Sequence, residues 1–303
     1  PAAWPTSDPP RPGSTEVAEV ETVTTIAEVR ARTDAARAAG RTVGAVLTMG
    51  YLHEGHASLI AAARAECDLV VTTVFVNPLQ FGPAEDLAAY PRDLERDVAL
   101  SAEAGADVVF APSVEEMYPR PVLTTVSVAE VTERFEGASR PTHFAGVATV
   151  VAKLLSIVGP CRAYFGEKDW QQVCVVRRVV ADLSLPVEVV ACPTLREPDG
   201  LARSSRNVYL EAEERAAAPV LLRALVTGRD RVLAGERDPR AVEAAMAAVV
   251  ATEPLVELDY AAAVRADDLA DLAVLAGDVR LLVAARVGRP RLLDNLGVTV
   301  PPA

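Results

Sequence analysis

Two of the chain's three histidines stand three residues apart, in His53-Glu54-Gly55-His56. Imidazole donates, accepts and ligates metals, so its surroundings decide what such a pair is for. The i, i+3 spacing is one residue short of the HExxH pairing of zinc proteases, and no carboxylate or cysteine stands nearby at ligand spacing to complete a metal site. A plain reading is a capped helix with surface histidines. Against it stands Gly55, which surface histidines do not need and which makes room for a flat ligand, such as a purine, against the backbone. Neither the GxGxxG fingerprint nor a P-loop pattern occurs, so a nucleotide would be held by other means.

The elements around this turn give it an electrostatic purpose. Residues 43–48 read as a short buried strand, 49–52 as a glycine-punctuated turn, and the stretch to about residue 66 as an apolar helix. A strand running through a glycine turn into a helix N-terminus aims unpaired N–H groups and the helix dipole at one spot, which is an anion site. The same alternation continues along the chain. Residues 26–39 have helical spacing with Gly40 as the stop. Residues 68–76 form a β-branched strand that ends in Asn77-Pro78-Leu79-Gln80-Phe81-Gly82. A helix over 94–104, a strand over 106–110 and a minor strand over 124–128 follow. After the polar break at 140–144 comes a helix ending near 158. A strand over 162–165 is then turned by Gly166-Glu167-Lys168-Asp169 into a helix over 170–183, and a strand over 187–191 closes the series. Ligands on such sheets sit beyond the carboxyl ends of the strands, where the turns at 50–56, 77–82 and 166–169 all lie.

From about Pro193 the texture changes. Residues 194–207 are polar and irregular, 211–235 and 239–251 are alanine-rich helices, and 255–264, 279–287 and 291–300 are strands around one more short helix. The fold class expected is α/β. A doubly wound, mostly parallel, Rossmann-like nucleotide-binding domain spans 21–193, after a disordered Pro-rich tail over 1–20. A smaller α+β C-terminal lid domain spans 194–303, with the polar segment as hinge.

A formal net charge of −12 argues against nucleic acid as a partner, since nucleic acid selects basic surfaces. Cys67, Cys161, Cys174 and Cys192 are scattered without a CxxC pair, as reduced cytosolic thiols are. The most apolar run, 144–158, carries Lys153 and is too short to span a membrane.

Several stretches together carry a family resemblance. Thr48-Met49-Gly50 leading through Leu52 into His53-Glu54-Gly55-His56 resembles the HxGH element of adenylate-forming nucleotidyltransferases, in the extended form found in the pantothenate synthetase (pantoate–β-alanine ligase) family. Phe75-Val76-Asn77-Pro78-Leu79-Gln80-Phe81, Tyr90-Pro91-Arg92, Arg140-Pro141-Thr142-His143-Phe144, Phe165-Gly166-Glu167-Lys168-Asp169 with Gln171-Gln172, Ser204-Ser205-Arg206-Asn207 and Arg291-Leu292-Leu293-Asp294-Asn295 are similar to that family's motifs, in order.

The resemblance implies an ATP-dependent ligase that joins pantoate to β-alanine through a pantoyl-adenylate, with Mg²⁺, as a cytoplasmic homodimer that binds neither nucleic acid nor membrane. It implies catalytic roles for His53, His56, Lys168 and Arg206. It implies ATP binding by Met49, Gly50, His53, Gly55, His56, Gly166, Glu167, Lys168, Asp169, Leu195, Arg203, Ser204, Ser205 and Arg206. Gln80 and Gln172 would bind pantoate, with Gln80 also touching β-alanine, and His143 would fix its loop. No protein metal ligand is assigned; Mg²⁺ is expected on the ATP phosphates. The chain departs from the family pattern at Leu47 (usually Pro), at Arg203 (usually Met), and in an acidic pair reduced to Glu95 and Asp97 around Arg96. Two rivals remain: a nucleotidyltransferase acting on a phosphorylated acceptor, and a nucleotide-binding scaffold without catalysis.

Overall fold

The computed structural model describes residues 20–82, 87–88 and 90–301, so the expected tail lies outside the described residues except for Val20. A short strand β1 (Glu21–Val23) precedes α1 (Ile26–Ala38), whose start is fixed by a reciprocal Thr25–Glu28 capping box. The chain continues through β2 (Val43–Thr48), α2 (Glu54–Glu66), β3 (Leu69–Val74), α3 (Leu94–Glu103) and β4 (Val108–Phe110). Two single-turn helices, α4 (Val114–Met117) and α5 (Glu136–Ser139), lead to α6 (His143–Val158), β5 (Cys161–Gly166), α7 (Trp170–Asp182) and β6 (Val187–Cys192).

All six strands are parallel, in the order β1-β4-β3-β2-β5-β6. Alternate side chains go to opposite faces. Val43 and Ala45 of β2, with Ala163 and Phe165 of β5, pack under α1, α6 and α7; Val46 and Tyr164 pack with Ile60 and Ala63 of α2. Strand order reverses between β2 and β5, so the crevice beyond their carboxyl ends is the switch point where such sheets bind ligands.

The rest of the chain forms α8 (Ala212–Ala217), α9 (Val220–Leu233), α10 (Pro239–Val250) and an antiparallel sheet of β7 (Val256–Arg265), β8 (Asp278–Val287) and β9 (Arg291–Thr299). On β8, Val279, Leu281, Val283 and Ala285 join the core that α9 and α10 supply, whereas Leu282 joins the core of the parallel-sheet half. The small sheet is thus covered on both faces, and its second face looks at the switch point.

Three expected elements come out differently. No strand forms over 124–128, because the Val126 N–H donates to the Thr149 hydroxyl of α6 (2.9 Å) instead of to a ladder. The helix expected over 211–235 is two, α8 and α9, broken at Pro219, which has no N–H to continue the first. The short helix expected among the last strands is a turn, with Leu269 at φ 60° and Asp268 accepting from the Ala270 N–H at 3.0 Å.

Candidate active site

The site is built from the turn after β2 outwards. Gly50 (φ 82°) and Tyr51 (φ 50°) both have left-handed backbone, a costly pair that needs an external anchor. Asp97 of α3 supplies it. Its carboxylate accepts the N–H groups of Tyr51 (2.7 Å) and Leu52 (2.6 Å), and it is 1% exposed. A Cβ on Gly50 would sit 2.8 Å from that carboxylate.

His53 is the N-cap of α2. Its Nδ1 accepts the Gly55 N–H at 3.1 Å, and the Nδ1 of His56 accepts the His53 N–H at 3.3 Å, so two imidazoles form a reciprocal capping box. The ring centroids are 4.1 Å apart. Burial first, then the neighbouring His53 and Lys168, pulls His56 down to about 3; burial followed by Lys168 also lowers His53. Both rings are therefore neutral near pH 7. With Nδ1 accepting, each must carry its hydrogen on Nε2, which makes each a donor. Gly55 has a local task as well. The place its Cβ would take is filled by the His53 ring, 2.8 Å away at Cε1, so the room ascribed to a flat ligand is first of all room for the cap.

Across the switch point, Gly166 ends β5 and a 3₁₀ turn, Glu167–Asp169, leads into α7. Lys168 Nζ lies 3.1 Å from Asp169 Oδ1. Burial alone would raise the Asp169 carboxyl, but Lys168, Arg206 and His143 together outweigh it and hold it below the usual range. From the other half of the chain, Ser204 caps a 3₁₀ turn over Ser205–Tyr209 and brings Arg206 to the same space.

These parts line one cavity of about 520 Å³. Of the residues assigned from sequence, Met49, His53, Gly55, His56, Gly166, Lys168, Asp169, Leu195, Gln80 and Gln172 line it, as does the run 203–206. Two do not. Gly50 is packed against Asp97 and Val74, and the Glu167 carboxylate accepts from Arg280 of β8 at 2.8 Å. Arg203 reaches the cavity, but its guanidinium pairs with Glu54 and, at 3.3 Å, with Glu197.

A smaller cavity of about 170 Å³ adjoins the first, sharing His56, Gln80 and Gln172 and floored by Val147, Val150 and Leu154 of α6. Gln80 is 6% exposed, and its position is over-determined. Asn77, fully buried, donates from Nδ2 to the Gln80 Oε1 (3.2 Å) and the Gly146 carbonyl (3.1 Å), while Tyr118 donates to Asn77 Oδ1 at 2.9 Å. Arg140 donates to His143 Nε2 (3.2 Å), whose Nδ1–H then donates to the Gln80 carbonyl (3.2 Å). His143 therefore holds the segment that carries Gln80. The adjacent glutamines divide their work: Gln171 donates to the Val131 and Arg134 carbonyls (2.7 and 2.8 Å), and Gln172 opens to the cavities. The supporting roles of Asp97, Asn77 and Gly146 do not emerge from the sequence. Signals exist in the acidic residue after YPR and in the Asn-Pro turn, but their partners lie far along the chain.

A doubly wound sheet with neutral histidine donors at its switch point, faced by a lysine and an arginine, defines a nucleotide-binding α/β enzyme. The chain matches the pantoate-beta-alanine ligase family over residues 21–297, and it belongs to that family. It is 56% identical over 274 residues to the pantothenate synthetase of Roseiflexus sp. strain RS-1, covering 90% of this chain and 97% of that protein. A crystal structure of pantothenate synthetase from Thermus thermophilus superposes with a TM-score of 0.85 at 51% identity, covering 93% of this chain and 100% of that one. That of the pantoate-beta-alanine ligase from Francisella tularensis, complexed with beta-gamma ATP and beta-alanine, gives 0.73 at 32% identity, covering 91% and 97%.

Proposed function

We propose that the two cavities are the nucleotide and acid sites of an AMP-forming ligase that condenses pantoate with β-alanine. The observation that carries this reading is the imidazole capping box, which leaves two neutral Nε2–H donors at a cavity also lined by Lys168 and Arg206. In the first step a pantoate carboxylate oxygen bonds to the α-phosphorus of ATP and the bond to pyrophosphate breaks. Negative charge grows on the phosphate oxygens, and fixed donors and cations stabilise it. His53 and His56 donate from the α2 start, and Lys168, Ser204, Ser205 and Arg206 supply the rest. Gln80 and Gln172 hold pantoate by its hydroxyls and carboxylate without adding repelling charge. In the second step the β-alanine amine attacks the acyl carbon, and AMP leaves with the electron pair of the acyl–oxygen bond.

Mg²⁺ enters this reading on the nucleotide. Asp97 of the acidic pair already accepts a backbone N–H on each carboxylate oxygen, and in this reading Mg²⁺ is carried by the ATP phosphate oxygens. When bound, it supplies neutralisation of phosphate charge. The cytoplasm as location and a homodimer as the working form complete the proposal; sedimentation of the purified chain tests the second. A domain boundary near 193, with the small sheet as lid, fits the separate core of α9, α10 and β8.

The reaction itself is tested by following pyrophosphate and AMP while substrates are added in turn. Pyrophosphate is expected only once pantoate is present, and AMP only once β-alanine follows. Pyrophosphate without pantoate would instead mark a nucleotidyltransferase or hydrolase.

A further inference from the structure

In the family-like stretch near the end of the chain, Arg291-Leu292-Leu293-Asp294-Asn295, the last two residues are both buried and hydrogen-bonded to segments that line the cavity. Asn295 is 3% exposed and every polar atom of its side chain is engaged. Its Nδ2 donates to the carbonyls of Glu167 and Lys168, both at 2.9 Å, and its Oδ1 accepts from Arg280 Nε at 2.7 Å. Arg280 only donates, so this bond fixes which end of the amide faces the Lys168 turn. Arg280 is itself held by the face of Trp170, 3.7 Å from the ring centroid, and by Glu167. Gly166 has no side chain with which to cap the 3₁₀ turn, and Asp169 makes no side-chain cap bond at the start of α7, so the turn is held from outside.

Asp294, also 3% exposed, accepts two hydrogen bonds from Arg196, at 2.6 and 2.9 Å, and accepts the Asn295 N–H at 2.7 Å. Arg196 donates on to the Gly200 carbonyl (3.0 Å) and pairs with Ala202 in an antiparallel bridge that leads straight into 203–206. Two successive residues of β9 thus each hold one of the segments that bring cations to the cavity.

We propose that Asn295 and Asp294 are positioning residues for adenylate formation: Asn295 sets the backbone that carries Lys168, and Asp294 sets the segment that carries Arg206. The inference rests on the reading that Lys168 and Arg206 act on ATP. Misplacing a charge by about an ångström is enough to lower the rate on the order of 10²-fold without emptying the site.

The experiment is a double-mutant cycle read by pantoate-dependent pyrophosphate release, with the melting temperature followed in parallel. Asn295→Ala is expected to lower kcat by roughly 10–100-fold while the KM for ATP moves by less than about threefold. In a Lys168→Ala background the same change is expected to cost less than about threefold, because the group it positions is gone. Asn295→Asp keeps the shape and the Arg280 contact but loses both donors, and it carries the test if the alanine variant unfolds. Asp294→Asn with Arg206→Ala makes the matching cycle for the other segment. Near-normal kcat in the Asn295 variants, or equal losses in both backgrounds, overturns the inference and leaves the reading of Lys168 standing. Near-normal kcat in Lys168→Ala alone overturns that reading and this inference with it.

Discussion

At the scale of single residues, the site works by keeping groups neutral or fixed where water would let them charge or move. Burial, followed by the neighbouring His53, holds the folded-state value of His56 near 3, far below the ordinary 6.5, and the uncharged ring keeps its Nδ1 able to accept. The unfolded chain then binds the extra proton below about pH 6.5, and stability falls as pH drops from there toward the folded value. Between pH 7 and pH 5 this amounts to roughly 1–2 kcal/mol. Thermal melts across that range are expected to show the loss in the native chain and a shallower slope in His56→Asn; parallel slopes would mean His56 is not held neutral. His56→Ala and Lys168→Ala should each slow adenylate formation by about 10²-fold or more, as loss of a transition-state donor does, measured by pyrophosphate release. The histidine pair and the lysine could be read from sequence because their neighbours in the chain are their neighbours in space. The task of Asp97 could not: in sequence it is one of an acidic pair around Arg96, and only the fold brings it to the N–H groups of Tyr51 and Leu52.

At the scale of elements, the sequence was most legible where burial is complete. The strand expected over 43–48 coincides with β2, and the helix expected to end near 158 with α6, because a strand buried on both faces and an apolar helix each show an unbroken pattern. Legibility failed for β1, three residues at the sheet edge, and at Pro219, where alanine-rich sequence on either side reads as one helix. Close approaches were also hidden. A Cβ on Gly146 would lie 2.2 Å from the Leu79 carbonyl oxygen, so α6 reaches the turn that carries Gln80 only because this residue is glycine. Gly146→Ala is expected to push that turn away, raising the KM for pantoate at least several-fold and costing about 1–3 kcal/mol of stability through overpacking. Steady-state kinetics with pantoate as the varied substrate checks the first effect, and denaturant unfolding the second.

At the scale of the whole molecule, the two halves meet through half-buried polar ties as well as apolar contact. Arg291 of β9 donates to both carboxylate oxygens of Glu136 at 2.7–2.8 Å, with Tyr260 donating to the same carboxylate at 3.1 Å. Glu136→Ala would strip one carboxylate from a half-buried guanidinium that still pairs with Asp259, and should cost roughly 2–4 kcal/mol, seen as a lowered denaturant midpoint. The α/β class followed from the alternation of strands and helices, whereas the strand order and the antiparallel pairing of the small sheet did not. Nor did the ties between the two halves, because Glu136 and Arg291 are far apart in the chain and each alone reads as a surface charge. If these parts combine to make an acyl-adenylate, one oxygen atom must pass from pantoate to AMP. With ¹⁸O in the pantoate carboxyl group, the AMP released on adding β-alanine should carry one labelled oxygen and the pyrophosphate none. Unlabelled AMP would mean that the reaction does not pass through an acyl-adenylate.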